Sequence, residues 1–408
     1  MASVDEQFQQ ACESGDLPGV VLLASDTTGN FKYEKTFGYQ SPGEKMDLNA
    51  TFIMASCTKL MTTIAAMQCV ERGLIKLDDD VSTILTELKD IKILTGFKDK
   101  KVPIFIPAKN KITLRHLLTH TSGLSYYGVN PLLTRLARTP GHEIGTFGDR
   151  ILTRITAPLV FEPGTSWEYG VGLDWAGILV MRLTNMSLEA YMQAHIWDPL
   201  GIANITFHKG LKPDLKRRLV KMTKRGPIRG VWGKPSLNGE KVEWTEVGMY
   251  EDPIIDEYGG GGSYGSATEY MKILNSICAS DGKLLKTETV DEMFTPQIGE
   301  GAKRALTLYN DALAAVGIFT SRKVGTDLNY GLGGLLVMSE YETGLRAGSM
   351  TWSGLPNLLW TIDRRSGVSA FYASNVVPFG DLKSHVMQQK FEKEVYRLAG
   401  AGAATSKL

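Results

Sequence analysis

The sequence predicts an α/β protein in which strands lie near both ends of the chain and helices lie between them. Two pairs of apolar segments, one near each terminus, are typical of β-hairpins, and each pair encloses a short turn that contains glycine. The middle of the chain, roughly residues 100–270, carries helical apolar spacing instead. This order favours a discontinuous α/β domain with a helical insert. The predicted parts are a sheet domain over 1–98 and 268–400, a mostly helical domain over 99–267 and a flexible tail over 401–408.

The predicted elements follow from local patterns along the chain. The first hairpin joins strands over 19–25 and 31–37, and the second joins 357–363 to 368–374. A closing helix is predicted over 381–399, because an acidic residue stands at its start and basic residues stand near its end. The helices predicted within the middle of the chain are 114–120, 173–184 and 188–195.

Composition excludes several classes of protein. The chain has 45 Lys and Arg against 44 Asp and Glu, and a dedicated nucleic-acid binder usually shows a basic excess. Its four cysteines show neither CxxC nor zinc-ligand spacing, which indicates a reduced intracellular protein without a metal site. We find no signal peptide and no run of 18 apolar residues, so neither export nor a membrane span is expected.

The last three residues, Ser406-Lys407-Leu408, match a peroxisomal import address at the extreme C-terminus. They follow a stretch of small residues, which suits a tail that a receptor must bind. The sequence therefore predicts a peroxisomal protein whose partners include the import receptor. Without that address the expected location is the cytoplasm.

Ser56-Cys57-Thr58-Lys59 is an S-x-x-K tetrapeptide that opens an apolar run ending near Gly73. The run is typical of a buried helix, and positions i and i+3 share one face of a helix, so Lys59 can reach the Ser56 hydroxyl. Burial beside the positive end of the helix disfavours the ammonium form of the lysine. A neutral lysine can accept the serine proton, which is the activation that a hydroxyl nucleophile needs.

Other short motifs in the chain are weaker. A second S-x-x-K begins at Ser280, but its Asp-Gly pair predicts a turn rather than a helix. Residues 260–265 match both G-x-G-x-x-G and the G-x-S-x-G elbow, yet no buried strand precedes them. His116 and His120 have the i, i+4 spacing of zinc ligands, but no third ligand is evident, which favours capping or core roles.

Five further segments support the interpretation of Ser56 as a nucleophile. They are Gly73–Asp80, Ile112–Leu124, Phe161–Gly170, Tyr258–Gly265 and Tyr330–Gly333. In this order, and over nearly the whole chain, they resemble the serine β-lactamase-like (class C) esterases and transesterases. Asp174–Gly177 and Gly348–Gly354 are most similar to the fungal branch that contains the lovastatin acyltransferase. The resemblance implies an antiparallel sheet flanked by helices, a mostly helical insert domain and an active site between the two.

The resemblance also implies roles for individual residues. Ser56 matches the family nucleophile, Lys59 matches its partner, and Tyr169 matches the tyrosine that opens the Y-x-N motif. The phenolic oxygen of Tyr169 would share the proton with Lys59 and the serine hydroxyl. Trp352–Gly354 aligns with the K-T-G triplet on the strand that lines the site, so the backbone N–H groups of Ser56 and Leu355 would form the oxyanion hole.

Two departures from the family pattern bear on the substrate. Val171 replaces the Asn of Y-x-N, and Trp352 replaces the Lys of K-T-G, which puts β-lactam hydrolysis in doubt. An apolar valine and a large aromatic ring suit an acyl chain or a polyketide ring better, although Trp352 could equally belong to the core. The predicted pocket residues are Tyr126, Val171, Tyr264, Trp352, Ser353 and Gly354.

The function expected from these observations is that of a serine acyltransferase that works through an acyl-Ser56 intermediate. The donor would be an acyl-CoA, a carrier-protein thioester or an ester, the acceptor would be a hydroxyl of a secondary metabolite, and no metal or redox cofactor is needed. Two alternatives stay open: a carboxylesterase or thioester hydrolase that uses water, and a non-catalytic binding protein. The same residues serve transfer and hydrolysis, so the sequence does not separate these two reactions.

Residues 209–234 are strongly basic, whereas residues 240–257 are acidic. Two interpretations fit this pattern. The first is a pair of solvated loops whose charges offset each other, and the second is a docking surface for coenzyme A phosphates or an acidic carrier protein.

Overall fold

The computed structural model describes residues 2–99, 101–142, 149–227, 240–246, 248–250, 252–315 and 322–405. The strands of the described residues are β1 Gly19–Asp26, β2 Lys32–Ser41, β3 Glu44–Lys45, β4 Thr51–Ile53, β5 Lys92–Lys98, β6 Val102–Pro107, β7 Ile205–Thr206, β8 Thr223–Arg225, β9 Val242–Trp244, β10 Tyr264–Ser266, β11 Leu328–Tyr330, β12 Leu335–Val337, β13 Ser349–Gly354, β14 Leu358–Asp363, β15 Val368–Ala373 and β16 Val376–Val377. The α-helices are α1 Val4–Glu13, α2 Thr58–Glu71, α3 Leu114–Leu118, α4 Pro131–Leu136, α5 Ile151–Ile155, α6 Gly172–Thr184, α7 Leu188–Met192, α8 Pro213–Arg217, α9 Ala267–Ala279, α10 Thr287–Met293, α11 Glu300–Ala315 and α12 Leu382–Thr405.

Eight strands form one antiparallel sheet in the order β11-β12-β13-β14-β15-β1-β2-β3. Side chains alternate between its two faces, as the period of a strand requires. Val20 and Leu22 of β1 pack with Phe8 of α1 and Phe391 of α12, while Val21 belongs to the larger core on the opposite face. Helices therefore cover both faces of the sheet.

The larger core contains nearly the whole of α2, in which every residue from Thr58 to Cys69 is buried. Helix α6 packs beside α2, and α9 packs against β15 through the Tyr270 and Phe371 rings, whose centroids are 5.0 Å apart. A second sheet, in the order β4-β10-β7, lies at the start of α2. Its strand β4 immediately precedes the S-x-x-K segment in the chain.

The predicted fold is confirmed: the antiparallel sheet carries flanking helices, and both predicted hairpins are present as β1–β2 and β14–β15. Some predicted helix ends were wrong. Helix α3 stops at Leu118 rather than at residue 120, because His120 has a left-handed backbone with φ +59°. Regular α-helix after Leu188 ends at Met192 and continues as a π-turn over Gln193–Trp197, whereas α12 runs on to Thr405.

The predicted domain boundaries stay predictions, although the β5–β6 hairpin spans the proposed boundary at 98 and 99. Within the described residues, no helix is both long enough and apolar enough to cross a bilayer. The tripeptide Ser406-Lys407-Leu408 lies outside the described residues.

Candidate active site

Ser56 lies where the small sheet meets the first core helix. Strand β4 ends at Ile53, a 3₁₀ turn runs over Ala55–Cys57, and α2 begins at Thr58. Ala55 has φ +44°, a left-handed backbone that costs a non-glycine residue about 1–3 kcal/mol and is typical of functional sites. The chain therefore turns sharply just before the serine and presents it at the N-terminal end of α2.

Strand β13 approaches this turn closely at its last residue. A Cβ at Gly354 would lie 2.6 Å from the Met54 carbonyl oxygen and 3.3 Å from the Cys57 sulphur, so only glycine permits this contact. Leu355 follows directly, as the predicted oxyanion hole requires. No hydrogen bond between described residues uses the N–H of Ser56 or of Leu355, so both are available to a ligand.

Lys59 is almost wholly buried, and its Nζ atom has three hydrogen-bond acceptors. These are Ser56 Oγ at 3.2 Å, the Tyr126 hydroxyl at 3.2 Å and the Gly260 carbonyl at 2.5 Å. The i, i+3 spacing thus places lysine and serine as predicted. In the described part of the chain no carboxylate forms an ion pair with Lys59, so its partners there are uncharged oxygen atoms.

Tyr169 completes the group around the serine. Its hydroxyl donates to Ser56 Oγ at 2.6 Å, and its ring centroid lies 4.8 Å from Lys59 Nζ. One hydroxyl oxygen is therefore bonded by both a lysine and a phenol. A partner that has given up its own proton, Lys59 as a neutral amine or Tyr169 as a phenolate, can accept the serine proton as the oxygen attacks a carbonyl carbon and can return it later, which is general acid–base catalysis.

Tyr126 was predicted as a pocket residue, and in the structure its hydroxyl accepts a hydrogen bond from Lys59. Its ring lies 5.4 Å from the Tyr169 ring. Burial raises the pKa of Tyr126 well above its usual value, so the hydroxyl binds the lysine as a neutral group.

The glycine-rich segment 259–262, which the resemblance places around the site, contacts Lys59 from the other side, and this contact was not predicted from the sequence. Gly260 accepts from the lysine, and its own N–H donates to the buried Asp174 carboxylate at 2.9 Å. A Cβ there would lie 2.5 Å from that carboxylate, which explains the glycine. Ser263 is fully buried and bonded to Thr58, so it is not an exposed elbow nucleophile.

The remaining predicted pocket residues lie on different sides of the serine. The Trp352 ring is 5.2 Å from the Tyr169 ring and is nearly buried, so it belongs both to the core and to the wall of the site. Ser353 is buried beside it on β13. Tyr264 packs in a separate cluster with Ala55 and Leu355. Val171 is buried in the main core at the start of α6, where it accepts backbone hydrogen bonds.

Two other groups could have bound a metal ion. His116 and His120 are not zinc partners on one helix face, since His116 caps α3 through Thr113 and His120 lies beyond the helix end. Glu189, His208 and Glu257 bring three possible ligand atoms within 4.8 Å of one another. Both carboxylates already accept hydrogen bonds, those of Glu257 from His208 and from the Glu189 N–H, so the cluster is satisfied without an ion.

The basic stretch is largely paired in the described residues. Lys216, Lys221 and Lys224 form ion pairs with acids between 243 and 252, at 2.6–3.6 Å. Arg225 is buried against Asp381. This arrangement favours the first interpretation, in which the two stretches offset each other. Arg229 and Lys234 lie outside the described residues.

Comparison with known proteins gives concordant results. A family model described as Beta-lactamase matches residues 4–389. Lovastatin esterase of Penicillium rubens is 38% identical, over 97% of this chain and 98% of its own length. Monacolin J acid methylbutanoyltransferase of Aspergillus terreus is 34% identical over 96% of this chain and 95% of its own length. A solved structure of the LovD6 mutant of simvastatin synthase (LovD) from Aspergillus terreus superposes with TM-score 0.89 at 34% identity, over 98% of this chain and 95% of the other.

Proposed function

Because this chain belongs to the beta-lactamase family, alongside serine acyltransferases and esterases, we propose that it transfers an acyl group from a thioester donor to a hydroxyl of a secondary metabolite. The observation that carries the proposal is the pair of hydrogen bonds to Ser56 Oγ, one from Lys59 and one from Tyr169. One of the related acyltransferases is named for the methylbutanoyl group and for monacolin J acid.

The reaction follows from this geometry in two halves. Ser56 Oγ attacks the donor carbonyl while its proton passes to whichever partner is deprotonated, Lys59 as a neutral amine or Tyr169 as a phenolate, and the N–H groups of Ser56 and Leu355 stabilise the negative oxygen that forms. The carbon–sulphur bond then breaks, and the departing thiolate takes up the same proton. An acceptor hydroxyl next attacks the acyl-serine, gives its proton to the same pair of residues, and leaves as an ester while Ser56 regains its hydrogen.

The aromatic surroundings of the serine support an apolar acyl group. Trp352 stands where β-lactamases have a lysine, and its ring contacts Tyr169 rather than offering a charge. Neither Trp352 nor Val171 offers a positive charge to a drug carboxylate. The transfer of a short or branched acyl chain from water into such a site is favourable in free energy, because the apolar surface of the chain is removed from water.

Hydrolysis is the second candidate, because the relative that is 38% identical is an esterase. We expect incubation with 2-methylbutanoyl-CoA to give one acyl adduct on Ser56 by intact mass. Addition of monacolin J acid, or of other polyketide alcohols, should accelerate loss of that adduct and divert the product from free acid to ester, as followed by mass spectrometry. If the adduct clears at the same rate whatever alcohol is offered, the protein is a hydrolase.

We further propose that the Ser406-Lys407-Leu408 tripeptide directs the protein to peroxisomes. A fluorescent protein fused to the N-terminus, which keeps the tripeptide free, should colocalise with a peroxisomal marker. The matched fusion that lacks residues 406–408 should stay in the cytosol. A diffuse signal from both fusions would contradict the proposal.

A further inference from the structure

His120 forms hydrogen bonds with both chain neighbours of Tyr169. Its backbone carbonyl accepts the N–H of Glu168 at 3.1 Å, and its Nδ1 atom accepts the N–H of Gly170 at 3.3 Å. The two bonds thus fix the 167–168 peptide, one residue before the tyrosine, and the 169–170 peptide directly after it. The left-handed backbone of His120, at φ +59°, ends α3 just before this contact.

The imidazole also supports the tyrosine ring directly. Its centroid lies 4.8 Å from that of Tyr169, edge to face, and its plane stacks on Trp352. Edge-to-face contacts of this kind contribute about 0.5–1.5 kcal/mol beyond burial. The ring is 1% exposed, and its Nε2 atom has no hydrogen-bond partner among the described residues.

The protonation state of His120 follows from these surroundings. Because Nδ1 accepts a hydrogen bond, the single proton of the neutral ring is on Nε2. Burial, with the nearby charge of Lys59, lowers the pKa of His120 well below its usual value. The ring therefore stays neutral, and Nδ1 stays an acceptor for Gly170.

We propose that His120 is a positioning residue for the acyl-transfer reaction, and that it holds the Tyr169 phenol against Ser56 Oγ through the Gly170 N–H and the ring contact. The proposal rests on the function proposed above. The Tyr169 hydroxyl exchanges a proton with Ser56 Oγ over 2.6 Å, so its position must be held closely. A misplacement of about 1 Å can lower the rate roughly 100-fold.

Three variants test this role with a p-nitrophenyl ester as the probe. His120→Phe keeps a ring but loses the acceptor, whereas His120→Asn keeps an acceptor and tolerates the left-handed backbone. Trp167→Phe is the matched control, because the Trp167 ring packs against His120 and its indole N–H has no hydrogen-bond partner among the described residues. The melting temperature of each variant reports loss of packing.

We expect H120F to lower kcat by about 100-fold with KM changed by less than about twofold, while H120N and W167F keep most of kcat. In the Tyr169→Phe background, H120F should have no further effect on kcat, because the group it positions is already absent. A purely structural role would instead give additive losses that follow the melting temperatures.

The proposal is overturned if folded H120F retains wild-type kcat, if folded H120N falls as far as H120F, or if the losses add in the double variant. Should H120F not fold, His120→Gly replaces it, since glycine adopts the left-handed backbone freely. If the Ser56→Ala variant keeps wild-type turnover, the proposed function itself is contradicted. Failure of the proposed function is therefore distinguishable from failure of the positioning role of His120.

Discussion

Replacing Ser56 with alanine is expected to eliminate the acyl adduct from the intact-mass spectrum and to lower kcat for thioester cleavage by at least about 10⁴-fold. The physical reason is that no other described hydroxyl is bonded by both Lys59 and Tyr169. Residual turnover would come from the two backbone N–H groups and from substrate binding alone. Stopped-flow release of free thiol, read with a thiol reagent, measures the effect.

The chain offers a matched control in its second S-x-x-K motif. Ser280 caps the end of α9, and its hydroxyl accepts a hydrogen bond from Arg364 at 3.0 Å, far from the lysine and tyrosine of the site. Ser280→Ala should therefore keep wild-type kcat and the adduct. Loss of the adduct in S280A, or full turnover in S56A, would be incompatible with Ser56 as the nucleophile.

Removing the hydroxyl of Tyr169 is expected to lower kcat by about 10²–10⁴-fold, the usual range for a general acid–base group. Tyr169→Phe keeps the ring contacts with His120 and Trp352, so the change isolates the 2.6 Å hydrogen bond to Ser56. The effect should appear in kcat far more than in KM, because the proton moves in the transition state. Steady-state kinetics with a p-nitrophenyl ester provide the measurement.

Tyr33→Phe serves as the control for losing a bonded phenol. Its hydroxyl donates to Asp5 at 2.5 Å on the outer face of the sheet, remote from the serine. This variant should lose some stability and no activity. Equal kcat values for Y169F and Y33F would exclude proton transfer by Tyr169.

Most of the fold was predictable because its signals are local. The apolar runs and glycine-containing turns of β1–β2 and β14–β15 identify both hairpins, and the buried run after Ser56 identifies α2. The end of α3 was not predictable in this way, because the apolar spacing continues beyond Leu118 while the backbone becomes left-handed at His120. The Thr-Ser-Gly sequence after this histidine was the available signal for an earlier helix end.

Within the site, prediction succeeded where spacing along one element decides the geometry, as it does for Ser56 and Lys59. Contacts between distant segments carry no such signal. The bonds from Lys59 to Tyr126 and to Gly260, and the bond from Gly170 to His120, depend on how α2, the 120–126 loop and the glycine-rich segment pack together. Only the three-dimensional structure brings them together.

The pairing of β1 with β15 has a consequence for the synthesis of the protein. These neighbours meet over a ladder that joins Val21 to Ala373 and Asp26 to Val368. At about 5–20 residues per second, a ribosome needs roughly 20–70 s to add the ~340 residues between them. Throughout that time the nascent β1–β2 hairpin has one apolar edge without a partner, and such an edge invites pairing with other chains. The yield of soluble protein should therefore depend on how well chaperones shield this hairpin until β15 emerges.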